Sequence, residues 1–372
     1  AVLVALIVLV NVAAEGMRSV TLVQAFQYWL KLTALLTPLA VMLLVWHRNQ
    51  GGNQTPLHAR DWIEPLQGQH ALYLTYSLIL ATFLGTMGLP HVAVRFYTNP
   101  DGRAARRTTV AVLAMLSVFY LLPPVYGVLG RVFAFDLVAS GRTDSVVLEL
   151  PGRLLAGAPG IALTALLGAG AFAAFLSTSS GLVMSIGGVL SQDLLSRRFD
   201  PITAFRLGAT GGALATLVLA LLSSGVAVAH AVELAFAVAA STFCPLLLLG
   251  IWWRGLTAVG AVAGLLVGGC LSATAVLMVM LGADPGGWFG AVLAQPALLT
   301  VPLAFVTMVG VSVLGREGSP AHVGQIMVRL HTPEYVDLDR GTYHPEQASG
   351  APIRASRSAV RRATAAVRRS VT

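Results

Sequence analysis

Two stretches of this sequence place polar or backbone groups where an apolar helix could use them for chemistry. The first is Gly85-Thr86-Met87-Gly88-Leu89-Pro90-His91. Pro90 lacks an N–H and its ring clashes with the carbonyl of Thr86, so carbonyls near Thr86 lose their partners within the helix. In hydrocarbon, unpaired carbonyls are tolerated only beside protein or a water-filled cavity. The pattern therefore predicts either a discontinuous helix that lines a substrate site or an ordinary proline kink.

The second stretch carries Ala174, Ser177 and Thr178 at positions i, i+3 and i+4, so the three residues share one face of a helix. Two hydroxyl oxygens and a backbone carbonyl form half of an oxygen cage for a small hard cation, and a monovalent ion needs no carboxylate there. The same face also carries small residues at helical spacing, which is how membrane helices pack closely. Ion binding and close packing both remain open from the spacing.

Ionisable side chains inside apolar stretches are costly and therefore candidates for function. Glu233 lies near the start of its apolar stretch, where it either reaches the outer interface or faces a cavity and contacts a proton or substrate. Lys31 lies midway along another stretch and needs a polar partner or a path to water. The sequence has no His/Cys cluster with metal-ligand spacing and no phosphate-binding glycine loop, so neither an enzyme nor a pump driven by ATP is expected.

Composition defines the elements that must position these residues. Of 372 residues, 11% are charged and 56% are hydrophobic, whereas soluble domains carry about 25% charged residues. Fourteen of the 40 charged residues lie in residues 315–372. These figures exclude a soluble enzyme, a disordered chain and a disulfide-stapled domain, and they predict an all-α polytopic membrane protein with a polar C-terminal tail.

A membrane span needs about 20 mostly apolar residues. Nine candidate spans make up the predicted membrane domain, residues 1–314: 1–13, 20–46, 70–94, 108–130, 158–194, 205–224, 229–251, 257–281 and 296–314. The segment 158–194 is long enough that it must tilt, bend near Gly187-Gly188 or project from the bilayer. Residues 315–372 show no sustained period and are predicted to be a disordered, arginine-rich arm.

The arginines predict the orientation of the chain. Loops 14–19, 95–107, 195–204 and 252–256, with their helix edges, carry nine arginines, whereas the longer alternate loops carry five. Positive residues mark the cytoplasmic side. We therefore expect these loops and the C-terminal tail to lie in the cytoplasm, with the protein in the cell membrane and the lipid bilayer as its partner.

The chain resembles the sodium:solute symporter family, and within it the cation/acetate and monocarboxylate symporters. The resemblance is carried by Gly88 to His91 with Arg95-Phe96-Tyr97-Thr98, by Ala174 to Leu194, and by Leu234 to Ser241. It implies the inverted-repeat transporter fold, with two five-helix repeats of opposite topology around a midplane site. The usual layout has about thirteen spans, so the resemblance also implies that N-terminal helices are missing from this sequence.

The resemblance assigns roles to individual residues. It implies that the carbonyl of Ala174 and the hydroxyls of Ser177 and Thr178 hold half of a Na⁺ site, with Na⁺ as coupling ion and no cofactor. It places Phe83 and Thr86 among substrate and gate side chains, next to Gly88 and Pro90. The predicted function is Na⁺-coupled symport of a small organic anion, acetate or another short monocarboxylate. A proton-coupled monocarboxylate symporter and a transporter-like membrane sensor are the alternatives.

Overall fold

The structure is a computed structural model. It describes residues 2–14, 17–48, 69–89, 92, 99, 102–140, 142–222, 228–283, 285–315, 323–332, 336–337 and 342–343. In the first half of the chain these residues form eight α-helices: α1 (Val2–Ala14), α2 (Met17–Arg48), α3 (Ala71–Gly88), α4 (Gly102–Tyr120), α5 (Leu122–Phe133), α6 (Phe135–Ala139), α7 (Val146–Leu154) and α8 (Ala158–Val189).

The second half continues with helices α9 (Pro201–Leu222), α10 (Val228–Trp252), α11 (Ala258–Met280), α12 (Gly287–Ala294), α13 (Ala297–Leu314) and α14 (Val323–His331). Helix α8 runs past Gly187 and Gly188 without a break and ends in a π-helical turn, Leu190–Leu195. The charged end of this long segment, Asp193, is exposed.

Eight helical segments among the described residues are long and apolar enough to cross a membrane. They correspond to the predicted spans from residue 20 onward, and α4 and α5 form one continuous segment, Gly102–Phe133. The remaining predicted span, 1–13, forms α1, whose 13 residues extend about 20 Å and fall short of a hydrocarbon core of about 30 Å. The predicted all-α polytopic membrane class is confirmed.

Helices α1, α2, α5, α7, α8 and α9 pack into a first group. One core in this group joins α2, α5 and α7 through Leu39, Met42, Tyr126, Leu129 and Leu150. The hydroxyl of Tyr126 donates to the carbonyl of Leu35 across 2.8 Å, which satisfies the polar end of a buried aromatic ring. A smaller core joins α1, α8 and α9.

Helices α3, α10, α11, α12 and α13 pack into a second group. Small residues bring these helices close together. Along α11, Gly260, Gly264 and Gly268 recur every four residues, and a Cβ atom on any of them would collide with α13 or α10. Close approach of backbones is the usual way in which membrane helices associate, because lipid offers no hydrophobic driving force between them.

The segment after residue 315 contains more regular structure than its sequence predicts. Helix α14 lies in it, and Val336 pairs with Tyr343 in a two-residue antiparallel ladder. The nine residues of α14 cover two and a half turns, too few to reveal a period by inspection. The arginine-rich stretch 354–369 lies outside the described residues.

Candidate transport site

Helix α3 ends where the sequence places its proline. The last helical residue is Gly88, and Leu89 adopts an extended backbone with φ −76° and ψ 118°. A residue that precedes proline is pushed out of the helical region by the proline ring, so the break follows from Pro90. Pro90 and His91 themselves lie outside the described residues. The apolar stretch 70–94 therefore contains a helix that ends at Gly88, and the amide of Val92 donates to the carbonyl of Leu89.

The two faces of α3 have different surroundings. Phe83 is 75% exposed, and Thr86 is exposed on the same face, with its hydroxyl donating to the carbonyl of Phe83 across 2.9 Å. Gly85 and Gly88 lie on the opposite face, against α10. A Cβ atom on Gly88 would lie 2.8 Å from the carbonyl oxygen of Ala239. The structure thus groups Phe83 with Thr86 and separates Gly88 from them.

The predicted ion ligands lie in the middle of α8. Ala174 and Ser177 are half-buried and Thr178 is exposed, and the helix continues without interruption through all three. The carbonyl of Ser177 accepts a hydrogen bond of 3.0 Å from the side-chain amide of Gln24 on α2. Because α2 and α8 touch here, Ser177 lies at a helix contact in the first group, while Thr178 lies beside this contact and is exposed.

The small residues of α8 do pack closely, as the alternative interpretation of this face predicts. A Cβ atom on Gly170 would overlap the Cβ atom of Ala34 and approach the Cα atom of Lys31 to 3.9 Å. Close packing therefore explains Gly170 fully. Close packing does not explain the hydroxyls of Ser177 and Thr178, because alanine at either position would allow the helices to approach equally closely.

Sequence reasoning missed two residues of this contact. Gln24 and Gln27 stand three residues apart on α2, and Lys31 follows one turn later on the same face. Lys31 is a candidate from the sequence because it is a charge within a span, whereas the two glutamines are uncharged. The signal was available, since polar residues at i, i+3 and i+7 form a stripe on an otherwise apolar helix. Gln27 is buried and Lys31 is half-buried.

Glu233 belongs to a polar junction in the second group of helices. Its Oε2 atom accepts a hydrogen bond of 2.7 Å from the side-chain amide of Gln295 and lies 3.5 Å from Nδ1 of His230. The backbone carbonyl of Gln295 accepts from the hydroxyls of Ser77 and Tyr73. This junction ties α3, α10 and the segment between α12 and α13 together, so a structural role accounts for Glu233.

A cavity among the described residues lies away from the predicted site residues. A cavity of about 370 Å³ opens at the end of α10, between Trp252, Arg254, Met327 and His331, and contains none of the predicted site residues. Within the described parts of the chain, no three His, Cys, Asp or Glu residues cluster as metal ligands. Helices α3 and α8 pack in different groups, so the predicted substrate and ion residues form two separate surfaces.

The helix break at Leu89 and the hydroxyl-bearing face of α8 occur in a chain that matches a known protein family. A family model described as the sodium:solute symporter family matches residues 1–268, which is more than half of the chain. The chain belongs to this family. The family predicted from the sequence is confirmed, and the eight apolar helical segments agree with a multi-pass membrane protein.

Two curated relatives of this chain are described as transport proteins. An uncharacterized symporter of Bacillus subtilis is 30% identical over 305 residues, covering 77% of this chain and 58% of the relative. A monocarboxylic acid transporter of Corynebacterium glutamicum is 33% identical over 255 residues, covering 62% of this chain and 44% of the relative. The chain spans about half the length of the curated relatives it matches. No solved structure matches it.

Proposed function

We propose that this protein takes part in Na⁺-coupled symport of a small organic anion, acetate or another short monocarboxylate, across the cell membrane. The observation that carries the proposal is the pair of hydroxyls on Ser177 and Thr178 in the middle of α8, beside the carbonyl of Ala174. Close packing of α8 does not require these hydroxyls, whereas a hard monovalent cation is bound by oxygen ligands and needs no carboxylate among them. The substrate class is supported by the relative described as a monocarboxylic acid transporter.

The residues of α3 would contact the substrate in this proposal. Phe83 and Thr86 share the exposed face of α3, directly before the break at Leu89. Backbone carbonyls at an interrupted helix are available to ions and substrates in membrane transporters. Gly88 and Pro90 then act through the backbone: Gly88 lets α3 approach α10, and Pro90 ends the helix. Rocking of one helix group against the other would expose the site alternately to the two sides.

The proposal is tested by uptake of radiolabelled acetate into proteoliposomes. We expect an inward Na⁺ gradient to drive accumulation, and we expect Ser177→Ala combined with Thr178→Val to abolish the response to Na⁺. Thr210→Val is the matched control, because its hydroxyl bonds only the carbonyl of Arg206 within α9 across 2.8 Å. That variant should keep full Na⁺-driven uptake.

The same vesicles separate the rival functions. Accumulation driven by a pH gradient, and indifferent to Na⁺ and to the double substitution at 177 and 178, would replace the proposal with a proton-coupled monocarboxylate symporter. Binding of acetate without accumulation under either gradient would indicate a transporter-like sensor.

A further inference from the structure

A row of polar side chains on α2 runs along the hydroxyl-bearing face of α8. The amide of Gln24 donates to the carbonyl of Ser177, and Ala34 lies against Gly170. Increasing residue numbers on α2 therefore meet decreasing numbers on α8, so the two helices run antiparallel. One turn from Gln24 along α2 is Gln27, and one turn back from Ser177 along α8 is Ala174. The packing register thus places Gln27 at the level of Ala174.

Gln27 is buried at this level without a complete set of hydrogen bonds. Its exposed fraction is 8%, and its Oε1 atom has no hydrogen-bond partner. An unpaired amide oxygen inside a membrane helix contact is costly, because neither lipid nor neighbouring apolar side chains can satisfy it. Among the described residues only two other buried side-chain atoms share this condition, on Thr75 and Gln295 of the second helix group. Gln27 alone of the three belongs to α2, the helix that packs against α8.

We propose that Gln27 supplies its side-chain oxygen as a further ligand to the cation held by Ala174, Ser177 and Thr178. The inference rests on the proposed Na⁺ coupling and adds a ligand from α2 to it. An amide oxygen is a neutral, hard donor of the kind that suits cations without transition-metal chemistry. Gln24 is a positioning residue, since its hydrogen bond to the carbonyl of Ser177 fixes the height of α8 relative to α2.

Lys31 lies one turn beyond Gln27 on the same face of α2, and its Cα atom would lie 3.9 Å from a Cβ atom on Gly170. Gln27 therefore lies between two positions, Gln24 and Lys31, at which α2 meets α8. A leucine at position 27 would fill similar space and remove the oxygen.

The test measures Na⁺ binding directly, apart from transport. Purified protein in lipid nanodiscs is titrated with NaCl at constant ionic strength set by choline chloride, with thermal unfolding and retention of radioactive Na⁺ as readouts. We expect Gln27→Leu to raise the Na⁺ concentration for half-maximal response roughly tenfold. Gln27→Glu, which keeps an oxygen at the same reach and adds a negative charge, should restore or exceed the wild-type affinity.

The matched control is Gln295→Leu. Gln295 is also buried, at 5% exposure, and also has an unpartnered Oε1 atom, but it lies between α12 and α13. Its substitution should lower the unfolding temperature by removing the bond to Glu233 while the Na⁺ affinity stays unchanged. An equal loss of affinity in both variants would overturn the assignment of Gln27 as a ligand.

Two further outcomes separate this inference from the proposed function. If the wild-type protein responds to Na⁺ and folded Gln27→Leu responds at the same concentration, Gln27 is not a ligand and the coupling proposal stands. If the wild-type protein does not respond to Na⁺ at all, the coupling proposal fails and this inference fails with it. A loss of Na⁺ affinity in Gln27→Leu that Gln27→Glu recovers supports a requirement for an oxygen at position 27.

Discussion

At the scale of single residues, two hydroxyl groups meet inside the second helix group. The oxygens of Ser241 on α10 and Thr300 on α13 are 2.6 Å apart, and both residues are buried. Each hydroxyl also lies within hydrogen-bond distance of a carbonyl in its own helix. Neither residue would therefore be wholly unsatisfied without the other, so their mutual bond should contribute modestly to stability.

We expect Ser241→Ala and Thr300→Val each to lower the free energy of unfolding, with a coupling energy of about 0.6 kcal/mol between them, the usual size for membrane helices. A double-mutant cycle of unfolding in lipid or mild detergent measures this coupling. Strictly additive effects of the two substitutions would show that the hydroxyls do not interact.

Asp136 and Arg153 form a paired contact outside the membrane spans. The guanidinium of Arg153 donates to both carboxylate oxygens of Asp136, at 2.5 and 2.8 Å, and this hydrogen bonding lowers the pKa of Asp136 below its ordinary value. Because the folded pKa lies below the unfolded one, the pair stabilises the protein above the unfolded pKa. That contribution is lost as the pH falls through the folded pKa.

We therefore expect Arg153→Gln to flatten the decline of the unfolding temperature between neutral and acid pH. The effect should be small, because the pair is exposed and water screens it. Arg142→Gln is the control, since Arg142 makes one exposed contact of 3.3 Å with Glu149. An unchanged acid slope in Arg153→Gln would contradict the assignment.

At the scale of secondary-structure elements, the contact between α3 and α10 depends on the absence of side chains on α3. A Cβ atom on Gly85 would lie 2.5 Å from the carbonyl oxygen of Phe236, which belongs to the backbone and cannot rotate away. Gly85 and Gly88 thus set the distance between the two helices. The break at Leu89 is positioned against α10 by this contact.

We expect Gly85→Ala to destabilise the protein by about 1–3 kcal/mol, the usual cost of overpacking a core, and to move α3 away from α10. Gly310→Ala in α13 is the matched control, because a Cβ atom there would have no neighbour within 4 Å. Alanine favours a helix over glycine by about 1 kcal/mol, so this control should be neutral or stabilising. The free energy of unfolding is measured for both variants. Equal stability of the two would contradict the role of Gly85 in the contact between α3 and α10.

At the scale of the whole molecule, the placement of arginines predicts the orientation in the membrane. The loop between α8 and α9 carries Arg197 and Arg198, whereas Ser140 lies in a loop on the opposite side of the adjoining spans. Positive residues near the ends of spans favour the cytoplasm. The first loop is therefore expected inside the cell and the second outside.

Labelling with a membrane-impermeant maleimide tests this orientation in whole cells. In a protein with Cys244→Ala and Cys270→Ala, Ser140→Cys should react in intact cells and Arg198→Cys only after permeabilisation. The reverse pattern would invert the topology. Both positions are exposed, so differences in burial would not account for the result.

The sequence by itself determined the features that depend on local chemistry. A bilayer demands about 20 apolar residues for each span, so hydropathy locates the helices without any knowledge of their neighbours. The sequence also located a disturbance of α3 at Pro90, because proline acts on the backbone of the residues just before it, but left open whether the helix is interrupted or only kinked. The stretches around Gly88, Ala174 and Ser241 indicated the symporter family for a similar reason: each stretch is a run of neighbouring residues, so it can be recognised without the fold.

Only the tertiary structure decided which faces of the helices meet. Gln24 bonds Ser177 across 153 residues, and Gln295 bonds Glu233 across 62 residues. In a soluble helix the apolar face would mark the buried side, but lipid is as apolar as the protein interior, so periodicity leaves both faces alike. That is why only the structure shows that Gly88 contacts α10, that Glu233 bonds Gln295, and that the side-chain oxygen of Gln27 is buried without a partner.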